Sequence, residues 1–170
     1  MPTPSEVFLS HSSEDRPFAT KVGDLLEAHG IPYWYSKRDI VGAQQWHDEI
    51  GRALNRCDWF AVLLTPSAVR SDWVKRELLF ALQKKRYQKR IVPLLRRTCH
   101  YDRLSWTLDG MQRIDFTAEF DAGCRALLRV WGIGYEREAT SRRLGPDPAT
   151  GDRVRSPARR LTRPMQPPLR

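Results

Sequence analysis

Apolar residues recur along the first 135 positions with two alternating periods. Val7-Phe8-Leu9 is a short run of β formers, closed by Ser10-His11-Ser12-Ser13. Phe18, Val22, Leu25 and Leu26 then return at helical spacing until His29-Gly30 stops the pattern. Ile31 to Tyr35 reads as a second strand, and Ser36 to Gln45 as a polar, charged loop containing Gly42. Trp46, Ile50, Ala53 and Leu54 mark one face of a second helix. Trp59 to Leu64 is continuously apolar, which suits a strand buried on both faces of a parallel sheet, and Thr65-Pro66-Ser67 ends it. A helix from Ser71 to about Arg86, a strand Ile91-Val92-Pro93-Leu94-Leu95, a weaker strand from Gln112 to Phe116 and a closing helix from Glu119 to Trp131 complete the series. The stretch from Arg96 to Gly110 predicts only an irregular connection. Strands alternating with helices in this way predict an open parallel α/β sheet covered on both faces.

Two helix starts carry local signals. Ser12 followed by Asp15 has the spacing of a capping box. Ser71 can accept from the first-turn N–H groups, and Asp72 suits the positive helix end. In that helix Trp73 and Glu77 are four residues apart and share a face. Val74, Leu78, Ala81 and Leu82 form a separate apolar stripe. An aromatic beside a carboxylate, off the core stripe, has the makings of a pocket wall and its working group.

A doubly wound sheet takes its ligand beyond the carboxyl ends of the strands, where the strand order reverses. With a flavodoxin-like order 2-1-3-4-5, that point lies between the first and third strands. Ser10 to Ser13 and Thr65 to Ser67 fall there, with the loop Lys37 to Trp46 alongside and the Ser71 helix on the same rim. A helix N-terminus at such a crevice favours an anion such as a pyrophosphate. Other users of the fold fail on sequence. A phosphorylated receiver needs acids after the first strand and an Asp ending the third, where Ser10-His11-Ser12-Ser13 and Leu64-Thr65-Pro66 stand. No G-x-G-x-x-G, no P-loop and no G-x-S-x-G is present.

Charge changes the picture at one end only. The net charge of the 170 residues is +9. From Ala139 onward eight Arg stand against Asp147 and Asp152, and six of the twelve prolines lie there. Such a composition does not offset its ordering entropy, so residues 136–170 are expected as a disordered basic tail behind one domain, residues 1–135. The basic balance is therefore a tail property and weak support for a nucleic-acid partner. Cys57, Cys99 and Cys124 are far apart and form neither a zinc pattern nor a disulfide framework. No metal is expected, and a reducing, cytoplasmic setting fits. No signal peptide is read at the start, and no apolar run is long enough to span a bilayer.

Together these residues carry a specific resemblance. Val7 to Asp15 resembles the opening box of TIR domains in the form common in prokaryotes. Gly42 to Trp46 with the helix after it resembles the loop and helix behind their second strand. Asp72-Trp73-Val74-Lys75-Arg76-Glu77 looks like the box holding the catalytic glutamate of NAD-cleaving members, and Ile91-Val92-Pro93-Leu94 fits their fourth strand. The likeness covers Glu6 to Ile133. It implies a five-stranded flavodoxin-like fold and cleavage of the nicotinamide–ribose bond, with NAD as substrate and no cofactor. It places the catalytic carboxylate at Glu77 and an aromatic wall at Trp73. Ser10, His11 and Ser12 match the substrate-facing loop after the first strand, and Arg38 and Trp46 match loop positions near the pocket. Two positions depart. Tyr35-Ser36 stands where many members end the second strand with an acid, and Ile40 where some animal members carry a second glutamate.

One carboxylate suffices for such a cleavage. Glycoside hydrolysis ordinarily uses two, one of them to protonate the leaving oxygen. Nicotinamide in NAD is already cationic and departs neutral, so only the sugar cation needs stabilising. The resemblance further implies a stand-alone domain of the kind that produces an ADP-ribose-derived signal in antiviral systems such as Thoeris. Its partners would be other TIR domains and a separate effector responding to the product. The rival expectation is a non-catalytic module binding other TIR domains through Lys37 to Trp46. A third is a nucleic-acid-associated protein using the Arg-rich tail. Each site residue also has an ordinary role. Glu77 and Arg38 can be solvated charges, Trp46 and Trp73 core aromatics, and His11 with its flanking serines loop caps.

Overall fold

The computed structural model describes residues 2–35 and 43–144, with backbone only for 43–46 and 143–144. Five parallel strands form one sheet in the order β2-β1-β3-β4-β5. They are β1 (Val7–Ser10), β2 (Tyr33–Trp34), β3 (Trp59–Leu64), β4 (Ile91–Leu95) and β5 (Ile114–Asp115). The helices are α1 (Arg16–Ala28), α2 (Ala43–Arg56), α3 (Pro66–Arg70), α4 (Asp72–Gln83), α5 (Phe120–Arg129) and α6 (Arg137–Leu144).

The period of two in the strands assigns the two cores. Val7 and Leu9 of β1, and Trp59, Ala61 and Leu63 of β3, pack with α1 and α5 on one face. Phe8, Phe60, Val62 and Leu64 pack with α2, α3 and α4 on the other. Every residue of β3 is buried, as a central strand covered on both faces requires. Both outer strands are shorter than their apolar runs. Among the described residues β2 pairs with β1 through Tyr33 opposite Val7 and Trp34 opposite Phe8, while the Pro32 carbonyl accepts from the Val7 N–H at 2.9 Å.

Other boundaries also differ from expectation, and α2 begins at Ala43, within the stretch Ser36 to Gln45 expected as loop. α4 stops at Gln83, because Lys84 turns to extended backbone (φ −93°, ψ 125°) and Lys85–Tyr87 forms a separate 3-10 turn. That turn buries Tyr87, whose hydroxyl donates to the Leu54 carbonyl at 2.6 Å, a contact a continued helix would forfeit. The connection from Arg96 to Gly110 contains two 3-10 turns, Tyr101–Arg103 and Trp106–Gly110, which bury Leu104 and Leu108. The expected tail begins with a helix, α6, rather than a structureless segment. His29 Nε2 accepts from the Glu136 N–H at 3.0 Å, Arg137 pairs with Asp121 at 3.1 Å, and Thr140 is buried. Those tertiary contacts offset the ordering entropy that composition alone predicts will win. Residues 145–170 lie outside the described residues.

Candidate active site

β1 ends at Ser10, and α4 crosses the same end of the sheet. The Ser71 hydroxyl accepts from the Val74 N–H, so α4 starts where the cap places it. One turn later the helix turns Glu77 inward with Val74, Leu78 and Ala81. Glu77 is only 6% exposed, among the few buried charged or polar residues of the described chain. Ser10 Oγ donates to Glu77 Oε2 at 2.5 Å. A carboxylate so placed is held by a bond to a neighbouring strand, which sets its orientation.

The loop after β1 is tied down separately. Ser12 Oγ donates to Asp15 Oδ2 at 2.5 Å, so the predicted cap closes on a side chain and not on a backbone N–H. Thr65 Oγ1 and Ser67 Oγ, from the segment after β3, donate to the same oxygen at 2.6 Å and 3.0 Å. Thr65 Oγ1 in turn accepts from the Ala68 N–H and caps α3. Asp15 thus joins the two segments at the strand-order reversal. Its sequence signal, a capping box, pointed to a local role only.

His11 is buried, with Nδ1 3.3 Å from the Leu9 carbonyl and its ring edge-on to Tyr35 at 5.3 Å. Trp73 is half-buried on α4. Its ring lies 4.7 Å from that of His47 on α2, and the Arg76 guanidinium stands over it at 5.3 Å. His47 had no sequence signal, because its partner lies on another helix. Of the expected residues, Ser10 and Glu77 are in contact, and Ser12 and His11 occupy the same loop with other partners. Trp73 faces the α2 side. The Trp46 backbone lies in α2, and its side chain is outside the described residues, as is Arg38. Among the described residues no group of three His, Cys, Asp or Glu side chains is placed to hold a metal, and no helix is long and apolar enough to cross a membrane.

The parallel sheet with this strand order and helices on both faces defines a flavodoxin-like α/β domain, with a buried carboxylate on α4, the second helix after β3. The TIR domain family profile matches residues 7–128, so the chain belongs to the TIR domain family. A 2' cyclic ADP-D-ribose synthase, BtTIR, of Bacteroides thetaiotaomicron is 26% identical over 74 residues, which cover 43% of this chain and 26% of that protein. The match therefore spans about a quarter of the relative's length. Among solved structures, the TIR domain of the Toll-related receptor TRR-2 from Hydra magnipapillata superposes with a TM-score of 0.61 at 22% identity, covering 74% of this chain and 96% of that one. The TIR domains of the activated Roq1 resistosome, which recognises the pathogen effector XopQ, give a TM-score of 0.56 at 14% identity, covering 74% and 98%.

Proposed function

We propose that this TIR domain cleaves the nicotinamide–ribose bond of NAD, with Glu77 as the catalytic carboxylate. The observation that carries this is a buried carboxylate at the carboxyl end of the sheet, oriented by Ser10, in a chain of this family. The bond to nicotinamide breaks with its electron pair going to the ring nitrogen, and nicotinamide leaves neutral. Glu77 stabilises the positive charge that develops on the ribose carbon. Water then adds and loses a proton to give ADP-ribose, or a hydroxyl of the same molecule adds and loses its proton to give a cyclic product. The name of the Bacteroides relative supports testing the cyclic product first. In this reading Trp73 walls the nicotinamide side, and Ser10, His11, Ser12, Arg38 and Trp46 approach the substrate. The product serves as a signal to a separate effector in antiviral defence, in the cytoplasm, and self-association of TIR domains assembles the site.

The competing reading, a non-catalytic interaction module, draws on the same geometry. Glu77 is 6% exposed and bonded to Ser10, as a carboxylate that only ties α4 to β1 would also be. Incubation of the full chain with NAD, at low and high protein concentration, separates the two. Release of nicotinamide by wild type and its loss in Glu77→Gln supports the enzyme. No release by the wild type even when concentrated leaves the interaction module.

A further inference from the structure

At the amino ends of β4 and β5, the opposite end of the strands from Ser10, the chain carries a cavity of about 640 Å³. It is walled by the end of α4, the turn behind it, the starts of β4 and β5 and the end of α5. Leu82, Ile91, Met111 and Val130 supply much of its apolar surface. Its volume lies in the range of pockets that take small molecules, and water against such a wall is readily displaced by an apolar group.

The charged groups on the wall are of one sign, beside the neutral amides of Gln83, Gln88 and Gln112. Lys84, Lys85 and Lys89 line it, and no carboxylate does. Among the described residues none of the three lysines sits in an ion pair, and the Lys84 ammonium stands over the Phe80 ring at 4.7 Å. Lys89 is the only described non-glycine residue in the left-handed region, at φ 62°. Glycine adopts that backbone without the steric cost a lysine meets. The sequence therefore carries a cation at the rim where the backbone favours having no side chain at all. The chain's own terminal segment is a poor occupant, since residues 145–170 hold six Arg against two Asp.

We propose that this cavity binds a small amphipathic anion, an apolar chain or ring bearing one carboxylate or phosphate head. The apolar body fills the space between α4, β4 and α5, and the head meets the three ammonium groups. The site is distinct from Glu77, and its test reads binding alone, so its outcome is independent of the NAD assay.

The probes are decanoate and decyl phosphate, with decanol and decyltrimethylammonium as neutral and cationic controls. Each is titrated below its micelle concentration into the full chain and followed by calorimetry and thermal unfolding. Saturable one-site binding of an anionic probe is expected, weakening with added salt, with decanol weaker and the cation absent. The probe that binds more tightly identifies the head group. Lys89→Gly suits the φ of that position, so it is expected to fold at least as stably as wild type without ligand. It is expected to bind the anion about two- to fivefold more weakly, the range of one exposed charge pair. Lys84→Glu weakens binding further. Absence of saturable binding, equal binding of decanol and decanoate, or anion binding unchanged in both variants overturns the proposal.

Discussion

Ser10 and Glu77 lie 67 positions apart, yet the serine hydroxyl donates to the glutamate Oε2 at 2.5 Å. The contact exists because β1 and α4 converge at one end of the sheet. It makes the carboxylate a positioned group. Glu77→Gln keeps an acceptor for Ser10, so it is expected to retain the fold and to lower the proposed NAD cleavage by about 10²–10³-fold, as for other electrostatic stabilisers. Ser10→Ala leaves the charge and removes its anchor. A loss of about tenfold is expected, the low end for a hydrogen bond to a charged group. Nicotinamide release measured on both variants checks the order. Equal losses would mean that Ser10 does more than orient.

Asp15 accepts from three hydroxyls at one oxygen, and two of them come from the segment after β3. Asp15→Ala leaves those donors without their acceptor and is expected to lower stability by about 1–3 kcal/mol, with Asp15→Asn between it and wild type. Urea unfolding at neutral pH reads this directly. A change within error for Asp15→Ala would show that solvent replaces the bonds at no cost.

Gly123 of α5 packs on the Phe116 ring, where an added Cβ would stand 2.3 Å from Phe116 Cδ1. Alanine normally improves a helix interior by about 0.5–1 kcal/mol over glycine. Here overpacking a buried ring is expected to cost about 1–3 kcal/mol and reverse the sign. Gly51 of α2 is the control, since an added Cβ there meets nothing within 4 Å. Thermal unfolding should fall for Gly123→Ala and rise for Gly51→Ala.

The Arg56 guanidinium donates to both Glu6 oxygens, at 2.5 Å and 2.8 Å, and this hydrogen bonding holds the Glu6 carboxyl below its ordinary value of 4.5. A carboxyl depressed on folding adds stability that is present above its unfolded pKa and lost as pH falls through its folded one. Arg56 is about half exposed, so solvent screening keeps the pair to about 1 kcal/mol or less. Glu6→Gln is expected to cost that amount at pH 7 and progressively less as pH is lowered from 4 toward 2. Chemical denaturation across this range tests it, and a cost that does not shrink with acid would assign the effect to packing.

Strand and helix alternation, the doubly buried β3 and the Ser71 cap could all be read along the chain. Each depends on a period of two, a period of 3.6 or a neighbour within one turn. The TIR boxes around Ser10 and Glu77 were visible for the same reason, since each motif is contiguous. The early end of α4 and the ordering of α6 were not legible. They follow from Tyr87 reaching Leu54, and from His29 and Asp121 meeting the segment 136–137, partners set by how the layers stack. Asp15 as a junction, His47 against Trp73, and the choice of Ser10 as the group that holds Glu77 belong to this second kind. Local spacing places a side chain on one face of its own element. Which side chain waits on the other side depends on the parallel register and on helices packed from distant parts of the chain.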